Sequence, residues 1–183
     1  MTFAKDLRAT TKQYLDKIGV KDAKIKELNA NKEKYTDDYL KQCIDIIQKE
    51  KAEIIEKANF MIDLVINDYK ESIQDLDILD GEKLTADVKL LDGKIKLKKQ
   101  DLEAMFDRAM TAKNRTMLRL ITDYSKEFNL PINRTYYTAW DKIQGANTLN
   151  YWAKCAVSQG RYMDFFTDDQ YFNNSIPDAI RED

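Results

Sequence analysis

The feature that most constrains the fold of this chain is a 40-residue stretch, 37–76, in which apolar residues alternate at spacings of four and three. The series contains Leu40, Ile44, Ile47, Ile54, Ala58, Met61 and Val65, and Lys51 is its one polar member. Neither proline nor glycine interrupts it. The spacing predicts one long helix with an apolar seam, about 60 Å long at 1.5 Å per residue.

The apolar stripe widens in the second half of this helix. Further apolar side chains lie beside the seam there, namely Ile55, Phe60, Ile62, Leu64, Ile66 and Tyr69. A helix that is apolar on several faces is usually surrounded by protein. We therefore expect the second half to be buried in the body of the protein or in an oligomer, and the first half, from Leu40 to Lys51, to be exposed.

A shorter helical segment precedes this long helix. Residues 3–33 carry a more polar seam with the same seven-residue spacing, formed by Leu7, Thr11, Tyr14, Ile18, Ile25 and Leu28. A polar connector follows, and Thr36 is placed to cap the second helix. The two helices can fold back as an antiparallel hairpin or continue as one kinked rod.

The remainder of the chain predicts short helices. Five glycines and two prolines among 183 residues are too few for a network of strands and tight turns. We expect an all-α protein with a long N-terminal helical arm or antiparallel helical hairpin (1–78), a C-terminal bundle of short helices (79–161) and an acidic aromatic tail (162–183). A single extended segment is expected over 94–98, where lysine alternates with isoleucine and leucine.

Composition argues against an enzyme and against a membrane protein. The chain contains no histidine, which removes Ser-His and Cys-His nucleophile pairs and the commonest general base. Two cysteines cannot form a thiolate metal site, and no glycine-rich phosphate loop is present. No apolar run reaches the roughly 20 residues of a membrane-spanning helix. We therefore expect a cytoplasmic, non-enzymatic protein without a cofactor or metal.

Three sets of residues are candidates for contacts with partners. The seam residues Leu40, Ile44, Ile47, Ile54, Met61 and Val65 suit self-association, although a hairpin within one chain also explains them. Arg115 and Arg119 lie one helical turn apart and could contact an acidic protein or phosphates, or simply face solvent. The tail has six acidic residues and one basic residue. In it, Asp164, Phe165, Phe166, Asp168 and Asp169 either bind a basic partner or, for the aromatic ones, pack back on the domain.

The segment 90–130, LLDGKIKLKKQDLEAMFDRAMTAKNRTMLRLITDYSKEFNL, resembles segments of small uncharacterised helical proteins of phages that infect low-GC Gram-positive bacteria. The resemblance is carried by the Leu-Leu-Asp-Gly-Lys-Ile turn, the Asn-Arg-Thr-Met-Leu-Arg helix start and Asp-Tyr-Ser-Lys-Glu-Phe-Asn-Leu. It implies a phage-encoded protein with a virion-assembly or anti-host role, in the host cytoplasm or on the virion.

The expected function is therefore that of a structural or assembly protein that binds proteins and forms homo-oligomers. One alternative is an inhibitor of a host nucleic-acid-handling defence enzyme, comparable to an anti-CRISPR protein. The second is a nucleic-acid-binding protein that uses Arg115 and Arg119, which the pI of about 5.4 disfavours.

Overall fold

The computed structural model describes residues 2–92 and 95–181 and divides the chain into two compact units. The first unit contains residues 1–71 and 143–183, and the second is the intervening segment 72–142. Helices are the only regular secondary structure of the described residues, which confirms the predicted all-α class. The longest are α1 (Phe3–Ala30) and α2 (Asp37–Ile73).

Helices α1 and α2 form an antiparallel hairpin. The ring of Phe3, at the start of α1, stacks on Tyr69 near the end of α2 with a centroid distance of 4.0 Å. Farther along α1, the Lys21 ammonium is 2.7 Å from a carboxylate oxygen of Glu50. The contact partners thus run in opposite directions along the two helices. The Thr36 hydroxyl accepts a 3.4 Å hydrogen bond from the backbone N–H of Tyr39, so the predicted cap stands at the start of α2.

The buried face of α2 follows an eleven-residue spacing, which differs from the predicted seven-residue seam. Its buried residues are Ile47, Ala58, Ile62, Ile66, Tyr69 and Ile73. The two spacings agree up to Ala58 and then separate by one position, so that Ile62 is fully buried while the predicted Met61 is 38% exposed. A straight α-helix has 3.6 residues per turn, and a strict heptad drifts about 20° around it per repeat.

Helix α1 shows the same departure from the heptad. Its buried residues are Phe3, Ala4, Leu7, Thr11, Leu15 and Ile18. The predicted Tyr14 is half-buried, and its neighbour Leu15 takes its place in the buried face. In both helices the buried face thus departs by one position from a strict heptad.

Residues 143–183 belong to the same unit as most of the hairpin. Helices α5 (Ala139–Gln159), α6 (Met163–Thr167) and α7 (Asp169–Ser175) follow one another, and a 3₁₀ turn covers Asp178–Ile180. The Lys154 ammonium on α5 lies 2.6 Å from the Asp63 carboxylate on α2. The division differs from the predicted one, because residues 143–183 join the hairpin instead of forming part of a separate bundle and a tail.

The second unit is built around α3 (Lys99–Thr111) and α4 (Arg115–Glu127). Their buried residues form one core, which contains Leu102, Met105, Phe106, Ala109, Met117, Leu118, Ile121 and Tyr124. Asn114 caps α4 by accepting a hydrogen bond from the Met117 N–H and also donates to the Lys83 carbonyl. Of the predicted extended segment, Lys94 lies outside the described residues, and 95–98 forms no strand.

Candidate protein-interaction surfaces

A strip of α2 on the surface of the hairpin exposes large apolar side chains. Phe60 is 65% exposed, Met61 is 38% exposed and Leu64 is 39% exposed. Lys57 precedes these residues and Asp68 follows them, and both are exposed. We call these five residues the α2 strip. At 100° per residue they lie within about 100° of arc on one side of the helix, away from the centre of its buried face.

A groove lies against the α2 strip. It has a volume of about 480 Å³ and is lined by Tyr14 of α1 and by Glu53, Glu56, Lys57, Phe60 and Met61 of α2. The Lys17 ammonium lies 4.6 Å from the centre of the Tyr14 ring and holds a positive charge over that ring. The groove is thus lined by apolar and aromatic side chains together with charged groups of both signs.

The six predicted seam residues have different environments in the structure. Ile47 is buried, whereas Leu40, Ile44, Ile54 and Val65 are half-buried. Met61 is the only one of them in the α2 strip. The sequence interpretation placed Phe60 and Leu64 in a widened stripe that is buried in the body of the protein or in an oligomer. Both are exposed, so the body of the chain does not cover them. Within the second half, Ala58, Ile62, Ile66 and Tyr69 are core as expected.

The three phenylalanines of the tail pack back on the rest of the chain. Phe165, Phe166 and Phe172 are at most 1% exposed, so Phe165 and Phe166 are not available to a partner. Arg8 of α1 holds this segment in three ways. Its Nε donates to the Phe166 carbonyl at 3.0 Å, its Nη1 lies 2.6 Å from Asp169, and its guanidinium lies 4.8 Å from the centre of the Phe172 ring.

The acidic residues of the tail have separate structural roles. The Asp168 carboxylate accepts a 2.7 Å hydrogen bond from the Tyr171 N–H and caps α7. Asp169 is the ion-pair partner of Arg8. Asp164 is exposed and lines an open groove with Thr167, Asp168 and Tyr171. Among the three aspartates that we predicted to bind a partner, Asp164 is therefore the one with neither a capping hydrogen bond nor an ion pair to the described residues.

Arg115 and Arg119 differ in how far they are committed to the fold of the second unit. The Arg119 guanidinium donates to the Asp77 carbonyl and lies 3.5 Å from the Asp123 carboxylate. Arg115 is exposed. Both arginines act on Tyr136, but burial, followed by the Asp77 charge, outweighs them and raises the pKa of that phenol. Arg119 consequently serves the internal structure, and Arg115 alone remains free to meet a partner.

The turn between α5 and α6 presents a second group of aromatic rings. Tyr162 has φ = 59°, in the left-handed region, and its ring stacks on Trp152 at 5.7 Å. The Tyr151 ring meets the Tyr162 ring edge-on at a centroid distance of 6.2 Å, and Tyr151 is 57% exposed. A hydrogen bond with Cys155 raises the pKa of the Tyr151 phenol. Trp152 also meets the buried Phe165 ring at 5.0 Å, so the exposed rings are joined to the core of the tail.

Neither metal nor membrane features are found in the part of the chain that the structure describes. No group of three or more carboxylate or thiol side chains there is arranged to hold a metal ion. None of its helices combines the length and the apolar character needed to cross a bilayer. No protein-family model, curated protein or solved structure matches the chain.

Proposed function

We propose that this chain is a non-enzymatic helical protein that works by binding proteins, itself included, as a structural or assembly component of a phage in the host cytoplasm. The observation that carries the proposal is the exposure of Phe60, Met61 and Leu64 side by side on the hairpin. Scattered apolar residues are normal on protein surfaces, but a contiguous apolar patch with a polar rim is typical of an interaction site.

The α2 strip is suited to weak association. If a fully exposed aromatic side chain offers about 200 Å², Phe60 exposes roughly 130 Å², and the three apolar residues together expose roughly 250 Å². Two such patches would contribute at most about 12 kcal/mol at 25 cal/mol per Å². Association itself costs about 4–15 kcal/mol. We therefore expect dimers with a dissociation constant in the micromolar range or weaker.

Analytical ultracentrifugation over a range from micromolar to millimolar protein tests the proposal. The weight-average mass should rise from 21.4 kDa toward twice that value. Phe60→Ser should abolish the rise. The matched control is Val20→Ser, since Val20 is equally exposed at 65% and stands on α1 of the same hairpin. A protein that stays monomeric at millimolar concentration would refute self-association.

An inhibitor of a host nucleic-acid-handling enzyme is the second candidate, and the groove at Asp164 favours it. Asp164 and Tyr171 are both exposed there and offer a carboxylate beside an aromatic ring to a basic surface. An inhibitor should form a complex with its target that is lost in Asp164→Asn/Tyr171→Ala and retained in Asp6→Asn. Direct binding of nucleic acid has less support, because Arg119 is engaged within the second unit.

A further inference from the structure

The charges of the α2 strip are arranged asymmetrically about its apolar centre. Lys57 stands one turn before Met61, and Asp68 stands one turn after Leu64. Both charged side chains are exposed, and neither forms an ion pair with any residue in 2–92 or 95–181. The spacing of these four residues, four, three and four, places them in one line along the helix.

Such a line is complementary to a second copy that runs in the opposite direction. In an antiparallel pairing, Met61 of each copy faces Leu64 of the other, and Lys57 of each copy faces Asp68 of the other. A parallel pairing would instead place Lys57 against Lys57 and Asp68 against Asp68, which is unfavourable. The strip therefore distinguishes between the two directions by charge.

We infer that the protein forms a two-fold symmetric dimer in which the α2 strips of two copies pack antiparallel, with two Lys57–Asp68 ion pairs between the copies. The inference rests on the proposed self-association and adds its face, direction and pairing. The interface is isologous, so every favourable contact occurs twice.

The same symmetry places the exposed Phe60 rings of the two copies on one side of the contact, where each enlarges the apolar centre. Glu53 and Glu71 lie farther from that centre on the same side. Both are exposed, so solvent and salt screen their repulsion. The exposed apolar area of the strip is well below the roughly 800 Å² per partner of a standard interface. The ion pairs must therefore add to the apolar contacts in stabilising the dimer.

Charge reversal tests the inference. Lys57→Asp places two carboxylates opposite each other at both ends of the dimer, and Asp68→Lys places two ammonium groups there. Each variant alone should weaken dimerisation roughly ten- to thirty-fold, as two surface ion pairs become two repulsions. An equimolar mixture of the two variants should restore it, because only the mixed dimer has opposite charges at both ends. Lys41→Asp is the control, with the same charge change at an exposed position of α2 outside the strip.

Sedimentation velocity of each variant and of the mixture gives the dissociation constants, and circular dichroism checks that the helical content is unchanged. A wild-type protein that remains monomeric overturns this inference together with the proposed self-association. A wild-type dimer that tolerates both reversals overturns the inference alone and leaves self-association in place. Variants that are weakened but do not recover on mixing overturn the antiparallel pairing.

Discussion

Truncation of two neighbouring side chains of α2 measures where the seam of the hairpin runs. Ile62 is fully buried and Met61 is 38% exposed, whereas the seven-residue spacing places Met61 in the seam and Ile62 beside it. We expect Ile62→Ala to lower the free energy of unfolding of the first unit by about 3 kcal/mol, within the usual 2–5 kcal/mol for a core aliphatic residue. Met61→Ala should cost about 1 kcal/mol or less, because solvent already reaches its side chain and little cavity is left behind.

The assay needs a signal from the first unit alone. Trp152 belongs to that unit, is half-buried and meets the Phe165 ring at 5.0 Å, so its fluorescence should change when the unit unfolds. Trp140 belongs to the second unit and is 66% exposed, so Trp140→Phe should cost no more than about 0.5 kcal/mol. Urea titrations in this background give the midpoint and the slope for each variant, and an unchanged slope permits direct comparison.

A second pair of variants provides a control within the same helix. Ile66 is 1% exposed and its neighbour Val65 is half-buried, so Ile66→Ala should again be the more destabilising change of the two. Equal losses at Met61 and Ile62, or a larger loss at Met61, would refute the eleven-residue seam and support a heptad seam in solution.

Three further predictions concern other contacts. Arg8→Lys should loosen the C-terminal segment, seen as faster proteolysis after residue 160, because an ammonium cannot keep the Nε bond to the Phe166 carbonyl together with the other guanidinium contacts; unchanged proteolysis would contradict this role. The hydrogen bond from Lys21 lowers the pKa of Glu50, so the contribution of this pair to stability is present above the usual carboxyl pKa and is lost as pH falls through the lowered value. NMR titration should show that the Glu50 pKa is higher in Lys21→Met than in the wild type, and an unchanged pKa would contradict the assignment. Lys113 is exposed and has φ = 51°, a left-handed conformation that glycine adopts without strain. Lys113→Gly should therefore raise the free energy of unfolding of the second unit by about 0.5–1 kcal/mol in urea titrations. A lower free energy of unfolding would show that the Lys113 side chain stabilises the unit by more than the strain costs.

The helices could be predicted from the sequence because their signals are local. Apolar periodicity together with Thr36 as the cap placed the start of α2 at Asp37, where the structure has it. The predicted end, near residue 76, is three residues beyond Ile73, since helix ends depend on caps and packing that periodicity does not report. The choice between hairpin and rod depended on contacts such as that between Phe3 and Tyr69, which are far apart in sequence.

The candidate surfaces were less predictable because burial depends on distant residues. The sequence suggested that the acidic and aromatic residues of the tail could act together in binding a partner. In the structure its phenylalanines are buried, and Asp169 forms an ion pair with Arg8, near the other end of the chain. Similarly, Arg115 and Arg119 share a helix face in sequence, but contacts with Asp77 and Asp123 commit Arg119 to the fold.

The sequence by itself determined that α2 is a long helix with more apolar surface than one seam needs. Only the tertiary structure decided which part of that surface is used within the chain and which part faces solvent. The reason is geometric: at 3.6 residues per turn, the face that packs in the hairpin moves steadily away from a seven-residue seam. By the last turns of α2, Ile62 and Ile66 are inside, while Phe60, Met61 and Leu64 remain outside.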